Sequence, residues 1–438
     1  MDESSVRIGV LSLHTSKETK AILNAIEGLG HEGAWLRREN IAVHITRDGI
    51  ELDPPVDIVL NRLLLSRTDQ AAEWLGLATI YQDVVPVLNS PGNVLRAMHK
   101  FATGTSLLEE NVLVPEAYLA LDPSKLDKGR ERFDERAVYK FAIGTHGDGT
   151  QLVNVSEPLK PLAVNRQAFL QEFIPTSDTK PFDYRVYVVG DEIVGAMRRT
   201  AREGEFRTNV AEGGEVTDAV EEIPPAVQRI AHKATEVVGL DYAGIDIIRR
   251  DDEWYVLEVN PTAGFRGLFR ATGVSPAPYI ARLAIERAGG SVDDDKVEEL
   301  AADLDDSTPS AFPAEALPAD GDGRPIIGYT ERVTVTGTAG TQRVLAKADT
   351  GARRTSIDLE LAASIGAGPI KHQTRVRSGL RQESKARPVV DLLVGIDGRW
   401  HTVTASVEDR GHMEYPVLIG RDILSEYHVD VTRSAKEE

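Results

Sequence analysis

No cysteine occurs in the 438-residue chain, which excludes disulfides, thiolate-bound metals and cysteine nucleophiles together. No apolar run is long enough to cross a bilayer. The start, MDESSVRIGVLSL, has no basic stretch ahead of an apolar one, so no secretory signal is expected and the cytoplasm is the simple location. Basic charge is in short supply: 50 Lys and Arg face 69 Asp and Glu, for a net charge of −19. A general nucleic-acid binder would carry a basic footprint, so that class is set aside, and no membrane partner is expected either. Familiar phosphate and metal signatures are missing as well. No G-x-G-x-x-G follows the first predicted strand, and neither G-x-x-x-x-G-K-[ST] nor H-E-x-x-H occurs.

What is present is ordinary for a soluble globular protein, with 41% hydrophobic and 27% charged residues. The length calls for two or three domains. Predicted strands at 7–13, 33–36, 57–60 and 86–89 alternate with predicted helices at 17–29 and 70–81, a βαβ pattern that implies a small parallel sheet. A helix is expected over 93–108, carrying Lys100. A strand at 137–141 delivers Lys140 beside the loop GTHGDGT, whose Gly147 and Gly149 could bring backbone amides to phosphate oxygens. Strands follow at 168–174, 183–189 and 192–198, then an amphipathic helix at 225–238. Residues 291–324 hold eleven acids against two bases and read as an acidic linker, with a short helix over 296–304. From residue 325 charge is balanced, and short predicted strands at 332–336, 343–348, 389–394, 400–407 and 416–419 suggest a small barrel or sandwich.

The densest chemistry lies in DYAGIDIIRRDDEWYVLEVNPTAGFRG, residues 241–267, which reads as two strands and a polar turn. Glu258 and Asn260 are two apart and share a strand face, and a hairpin brings Asp246 beside them. Both carboxylates sit inside apolar runs, AGIDII and YVLEVN, where a carboxylate needs a partner. Two carboxylates and an amide oxygen suit Mg²⁺ held against phosphates. Upstream, Gln171 and Glu172 could meet a nucleobase edge, Asp183 alternates with Arg185, and Arg207 with Asn209 in EFRTN; such groups neutralise charge on a transferring phosphoryl group.

Lysine, lysine with a glycine loop, QEFI, DxR, FRTN, D and ExN, in that order, resemble the ATP-grasp superfamily, and within it the RimK-type α-L-glutamate ligases, over about residues 6–290. The resemblance implies an α/β fold with a Rossmann-like pre-ATP-grasp domain at 1–95 and an ATP-grasp domain at 96–290. It implies adenine contacts at Glu172, Phe173 and Ile174 beside Gln171, phosphate contacts from Lys100 and Lys140, and a ribose or phosphate contact at Asp183. Arg207 and Asn209 match a further ATP-site segment. Asp246, Glu258 and Asn260 match the ligands of Mg²⁺ or Mn²⁺, two ions being expected. The implied reaction is ATP-dependent ligation of a carboxylate on a small molecule or peptide to an amino acid, with Arg185, Arg199 and Arg207 gripping the acylphosphate or substrate carboxylates. The sequence departs from the family in a longer segment between Glu172 and Asp183 and in PTAGFRGLF after Asn260.

In the last domain, 325–438, KADTGARRTSID and VEDRGHMEYPVLIGRDIL resemble the retropepsin-like domain called an ATP-dependent zinc protease. This implies an all-β aspartic-protease-like barrel with Asp349 as the acid. One DTG needs a second Asp349 from another subunit, so a homo-oligomer, dimer or tetramer, is expected. Six bases against one acid between Lys371 and Arg387 read as a solvated loop or as a rim for acidic peptides. Peptide hydrolysis, or substrate binding alone, is the alternative task of this domain.

Overall fold

The computed structural model describes the chain apart from residues 1–4, 14–15, 39, 66–69, 145–148, 161–165, 176–180, 203–207, 209–214, 308, 311–323, 378–383, 412 and 436–438, with the side chains of 371–386 also outside the description. The chain forms two compact units, Met1–Ala314 and Glu315–Glu438.

The first unit begins with a parallel sheet in the order Glu32–Leu36, Arg7–Leu11, Ile58–Asn61 and Val87–Leu88. Both faces of such a sheet are covered, so its strands are apolar runs rather than alternating ones. Helix Lys17–Gly28, capped by the Ser16 hydroxyl on Thr19 N, buries Ile22, Leu23 and Ile26 against Ile8 and Val10. An exposed hairpin, Ala42–Ile45 with Ile50–Asp53, was not foreseen from the sequence.

Two antiparallel sheets follow. One has the order Ala117–Leu119, Ala168–Glu172, Arg136–Phe141 and Gln151–Asn154. The other has Glu215–Asp218, Glu192–Thr200, Phe182–Val189, Tyr242–Arg250 and Glu253–Asn260. Helix Pro225–Val238 packs Val227, Ala231 and Val238 on Val186, Ile245 and Ile247 of this sheet, and Gly239 ends it at a φ of 76°, where a side chain would be strained. Within the stretch read as a linker, Asp294–Ala301 is helical and buries Val297 and Ala301, with Val297 joining the core of helix Ala277–Arg287.

The continuous helix expected over 93–108 is corrected by the structure. It is two helices, Pro91–Met98 and Lys100–Glu109, broken at His99. The cause is tertiary: Lys100 N–H donates to Ala142 O at 2.8 Å and so leaves the helical ladder, and His99 forms a bridge with Ile143. His99 Nδ1 caps the second helix by accepting from Ala102 N at 3.2 Å.

The second unit is one eight-stranded sheet, where five strands were expected. Its order is Ile370–Arg377, Ser384–Ile396, Arg399–Glu408, Ser356–Asp358, Val417–Ile419, Thr341–Ala348, Ile326–Thr336 and His428–Ser434. Strand Ser384–Ile396 also pairs with Ile326–Thr336, which curls the sheet back on itself around Val333, Val394, Ala405 and Val417. Two short helices, Leu359–Ile365 and Arg421–Leu424, complete it.

Candidate active site

Strand register assembles the site. Across the five-stranded sheet, Arg199 lies opposite Asp183, Arg185 opposite Asp246, and Asp246 opposite Glu258, while Asn260 pairs with Gly244. Cross-strand neighbours interact directly, so residues scattered over 183–260 become one polar row. Arg185 donates to both oxygens of Asp246, from Nε at 2.6 Å and Nη2 at 2.7 Å. Arg199 does the same to Asp183, at 2.7 Å from each nitrogen, and its Nη2 is 3.0 Å from Asp246 Oδ2. The Thr208 hydroxyl closes the chain by donating to Asp183 Oδ2 at 2.6 Å.

The two lysines enter from other elements. Lys100, the first residue of its helix, places Nζ 3.0 Å from Glu258 Oε1 and 2.9 Å from Gly144 O. The helix break at His99 is what puts it there. Lys140 Nζ donates to Gln171 Oε1 at 2.6 Å across neighbouring strands. Asn260 directs Nδ2 at Gly244 O, 3.4 Å away, a bond that does not use its Oδ1.

Burial and charge act against each other here. Burial pushes the Asp246 carboxyl up, but Arg185 and Arg199 outweigh it and hold it at about 2. Burial likewise raises Glu258, and Lys100 and then Lys140 bring it below its ordinary value. Lys140 is lowered by burial, with Lys100 adding to that and Glu258 opposing it. Both carboxylates therefore remain ionised, side by side, among four cations. That donor set, two anionic oxygens beside an amide, fits a hard divalent cation next to a polyanion. Among the described residues no cluster of three or more His, Asp or Glu offers another metal site, in either unit.

A cavity of about 470 Å³ adjoins this row, lined by Lys100, Gln171, Glu172, Glu258 and Asn260, with Phe101, Phe169 and Leu257 among its apolar walls. At this end Glu172 pairs with Arg250 Nη1, and Arg250 Nη2 with the Tyr255 hydroxyl. Ile174 is buried, and Arg136 lies over the Phe173 ring at 4.8 Å. Gly149 adopts a φ of 70° at the end of the glycine loop. Gly147, Arg207 and Asn209 lie outside the described residues. Asp183 is 3% exposed with both oxygens engaged, the setting of an internal anchor for Arg199 more than of an open contact to a ribose.

Sequence reasoning missed Arg250, read as part of a polar turn, and Asn89. The buried Asn89 side chain accepts from Asp241 N at 2.6 Å and Tyr242 N at 3.2 Å, and donates to Tyr242 O at 3.0 Å and Pro261 O at 3.4 Å. It thus fastens both strands of the 242–260 hairpin at their outer ends. No local signal marks it, since its partners lie 152 to 172 residues away.

In the second unit, parallel pairing of Ala346, Lys347 and Ala348 with Val417, Leu418 and Ile419 joins the two motifs of the sequence. Thr355 N and Oγ1 both donate to Asp422, and Gly420 N donates to Thr355 Oγ1 at 3.1 Å. A Cβ at Gly420 would stand 2.4 Å from the Arg354 carbonyl carbon, so that approach requires glycine. Asp349 Oδ1 accepts from Gly351 N at 3.0 Å and Ala352 N at 3.1 Å, which fixes the carboxylate in the turn. His401 is buried on the Tyr427 hydroxyl; the side chains of His372 and His412 are outside the description.

Residues 97–283 match the family described as the RimK-like ATP-grasp domain, and residues 366–437 the retropepsin-like aspartic endopeptidase RimB. The tetrahydromethanopterin:alpha-L-glutamate ligase of Methanocaldococcus jannaschii is 33% identical over 210 residues, 46% of this chain and 71% of that protein. A probable alpha-L-glutamate ligase of Chromohalobacter salexigens is 29% identical over 297 residues, covering 63% and 93%. The ribosomal protein bS6--L-glutamate ligase of Escherichia coli O81 is 32% identical over 209 residues, covering 46% and 67%. Among solved structures, ATP-grasp ligase PsnB complexed with minimal precursor, Mg and ADP superposes with a TM-score of 0.51 at 19% identity, over 64% of this chain and 97% of that one. At that identity the likeness is one of fold.

Proposed function

Because the chain belongs to the RimK-like ATP-grasp ligases, which form C–N bonds, and carries a RimB-like retropepsin-like segment as well, we propose that it joins a substrate carboxylate to an amino acid, glutamate, through an acylphosphate. The observation that carries this reading is the single row of Lys140, Lys100, Glu258, Asp246, Arg185 and Arg199. Asp246, Glu258 and Asn260 hold Mg²⁺ or Mn²⁺, and a pair of such ions would neutralise the triphosphate and the developing charge on the transferred phosphoryl group. Lys100 and Lys140 take phosphate oxygens, each giving up a protein acceptor to do so. Gln171 and the segment Glu172–Ile174 meet the adenine, with Arg250 setting the Glu172 carboxylate.

A carboxylate oxygen of the acceptor attacks the γ-phosphorus and the bond to the ADP oxygen breaks. The amine of the amino acid then attacks the acyl carbon, phosphate leaves, and the amide forms with loss of a proton. No covalent protein nucleophile is needed; Arg185 and Arg199 orient the reacting anions, and Arg207 with Asn209 is assigned to the same ATP site. The acceptor is a protein tail, a peptide or a coenzyme, classes suggested by the names of the relatives. We take the parallel sheet as the Rossmann-like pre-ATP-grasp domain and the second unit as an aspartic-protease-like barrel. That barrel binds or trims acidic peptides, and a two-fold homo-oligomer would bring two Asp349 carboxylates together.

ADP release with L-glutamate and acceptor peptides tests the scheme. Asp246→Asn and Glu258→Gln are expected to lower turnover about a hundredfold or more, while Asp349→Asn leaves ADP release unchanged. Normal turnover in the first two would overturn the metal assignment. Loss of ADP release in the third would overturn the division of labour.

A further inference from the structure

Arg62 directly follows the strand Ile58–Asn61, at the carboxyl end of the parallel sheet, where open α/β folds place ligands. It is 5% exposed, yet Nε and Nη1 have no hydrogen-bond partner among the described residues. A guanidinium stays charged at any ordinary pH and can only donate, so burying Nε and Nη1 without acceptors is unfavourable, although the same guanidinium has the Tyr242 hydroxyl as a side-chain partner. Its Cζ lies 5.3 Å from the centroid of the Phe265 ring, a cation–π contact that offsets part of that cost without supplying an acceptor.

Phe265 ends the stretch PTAGF after Asn260, the place where this sequence departs from the RimK pattern. That stretch is held from two sides: Asn89 Nδ2 donates to Pro261 O at 3.4 Å, and the Tyr187 hydroxyl donates to Gly264 O. Tyr187 lies on the strand of Arg185, whose guanidinium opposes the rise that burial imposes on the Tyr187 phenol. Leu64, Pro261 and Thr262 line the same cavity as Lys100, Glu258 and Asn260. A buried cation with two unsatisfied donors thus lies two residues before Leu64 of that wall. The phosphate-directed cations Lys100, Lys140, Arg185 and Arg199 all come from other elements and all have carboxylate or amide partners.

We infer that Arg62 is a specificity-determining residue that takes a carboxylate of the incoming amino acid, with Phe265 as the platform beneath its guanidinium. The inference rests on the ligase reading and names the group that reads the amine substrate. Arginine suits this task better than lysine, because its planar donors match a carboxylate.

Calorimetric titration of the full chain, first with Mg·AMPPNP and then with L-glutamate, tests it. Arg62→Gln is expected to weaken L-glutamate binding about tenfold or more and to leave Mg·AMPPNP affinity unchanged, with Arg62→Lys falling between. Glutamine lacks the side-chain carboxylate and isoglutamine the α-carboxylate; the analogue whose affinity no longer depends on Arg62 identifies the carboxylate bound. Equal L-glutamate affinity in wild type and Arg62→Gln would overturn the inference, as would nucleotide binding without any L-glutamate binding in wild type. Failure of wild type to bind Mg·AMPPNP would instead overturn the ligase reading itself. Should Arg62→Gln lose nucleotide affinity through misfolding, Arg62→Lys decides: unaltered L-glutamate affinity in it overturns the inference, and a several-fold loss supports it.

Discussion

Asp183 and Asp246 are both buried carboxylates gripped by arginines, but their positions in the row assign them different work. Asp246 faces Glu258 across the hairpin and belongs to the metal set. Asp183 has Arg199 and Thr208 as its hydrogen-bond partners among the described residues. Removing one partner of a buried ion pair leaves the other charge uncompensated, at a cost of about 3–5 kcal/mol. Asp183→Asn is therefore expected to fall near the lower end, since Arg199 keeps its contact with Asp246. Urea denaturation would register the loss, and KM for ATP would stay nearly constant. A ribose contact predicts the reverse, a raised KM with little change in stability. The carboxylates of this row were legible in the sequence because Asp246 and Glu258 each lie inside an apolar strand that must pair its charge. Their division into anchor and ligand was not, because it depends on which strand lies opposite which.

Individual elements show how capping and tertiary pairing share control of helix ends. Asp358 caps helix Leu359–Ile365 by accepting from Glu360 N at 3.0 Å and Leu361 N at 3.2 Å, and it also accepts from Arg410 N at 2.7 Å. Burial raises its carboxyl, but the amides of Arg410, Leu361 and Glu360 together leave it below the ordinary value. A depressed carboxylate stabilises the fold fully above its unfolded value of about 4 and loses that contribution as pH falls through the lower folded value. Asp358→Ala should cost about 1–2 kcal/mol at pH 7, and the gap from wild type should narrow in acid. Unfolding titrations at both pH values measure it. A cap of this kind, an Asp ahead of LELAASI, can be read from the chain alone. The break at His99 cannot, for apolar spacing runs on through 93–108 and only the partners at Ala142 and Ile143 interrupt it. Arg62 escaped notice for the same reason: a lone arginine after a strand is unremarkable until its Nε and Nη1 are seen to lack acceptors among the described residues.

At the scale of the molecule, the mixed α/β character of the first unit and the mainly β second unit were legible because strands and helices alternate early and give way mostly to strands after residue 325. The eight-stranded count was hidden because strands such as Ser356–Asp358 and Val417–Ile419 are too short to show a period. No helix among the described residues is long and apolar enough to cross a membrane. The RimK-like match begins at residue 97, yet Asn89, upstream of it, is hydrogen-bonded to Asp241, Tyr242 and Pro261. Inheritance and mechanical integrity thus draw their borders at different places. A fragment beginning at residue 96 would carry every nucleotide ligand named above while leaving the hairpin's outer ends to the solvent. It is expected to bind Mg·AMPPNP weakly and to regain affinity when a separate 1–95 fragment is added, a complementation that calorimetry can follow. The catalytic half would then be a graft that cannot be lifted without its rootstock.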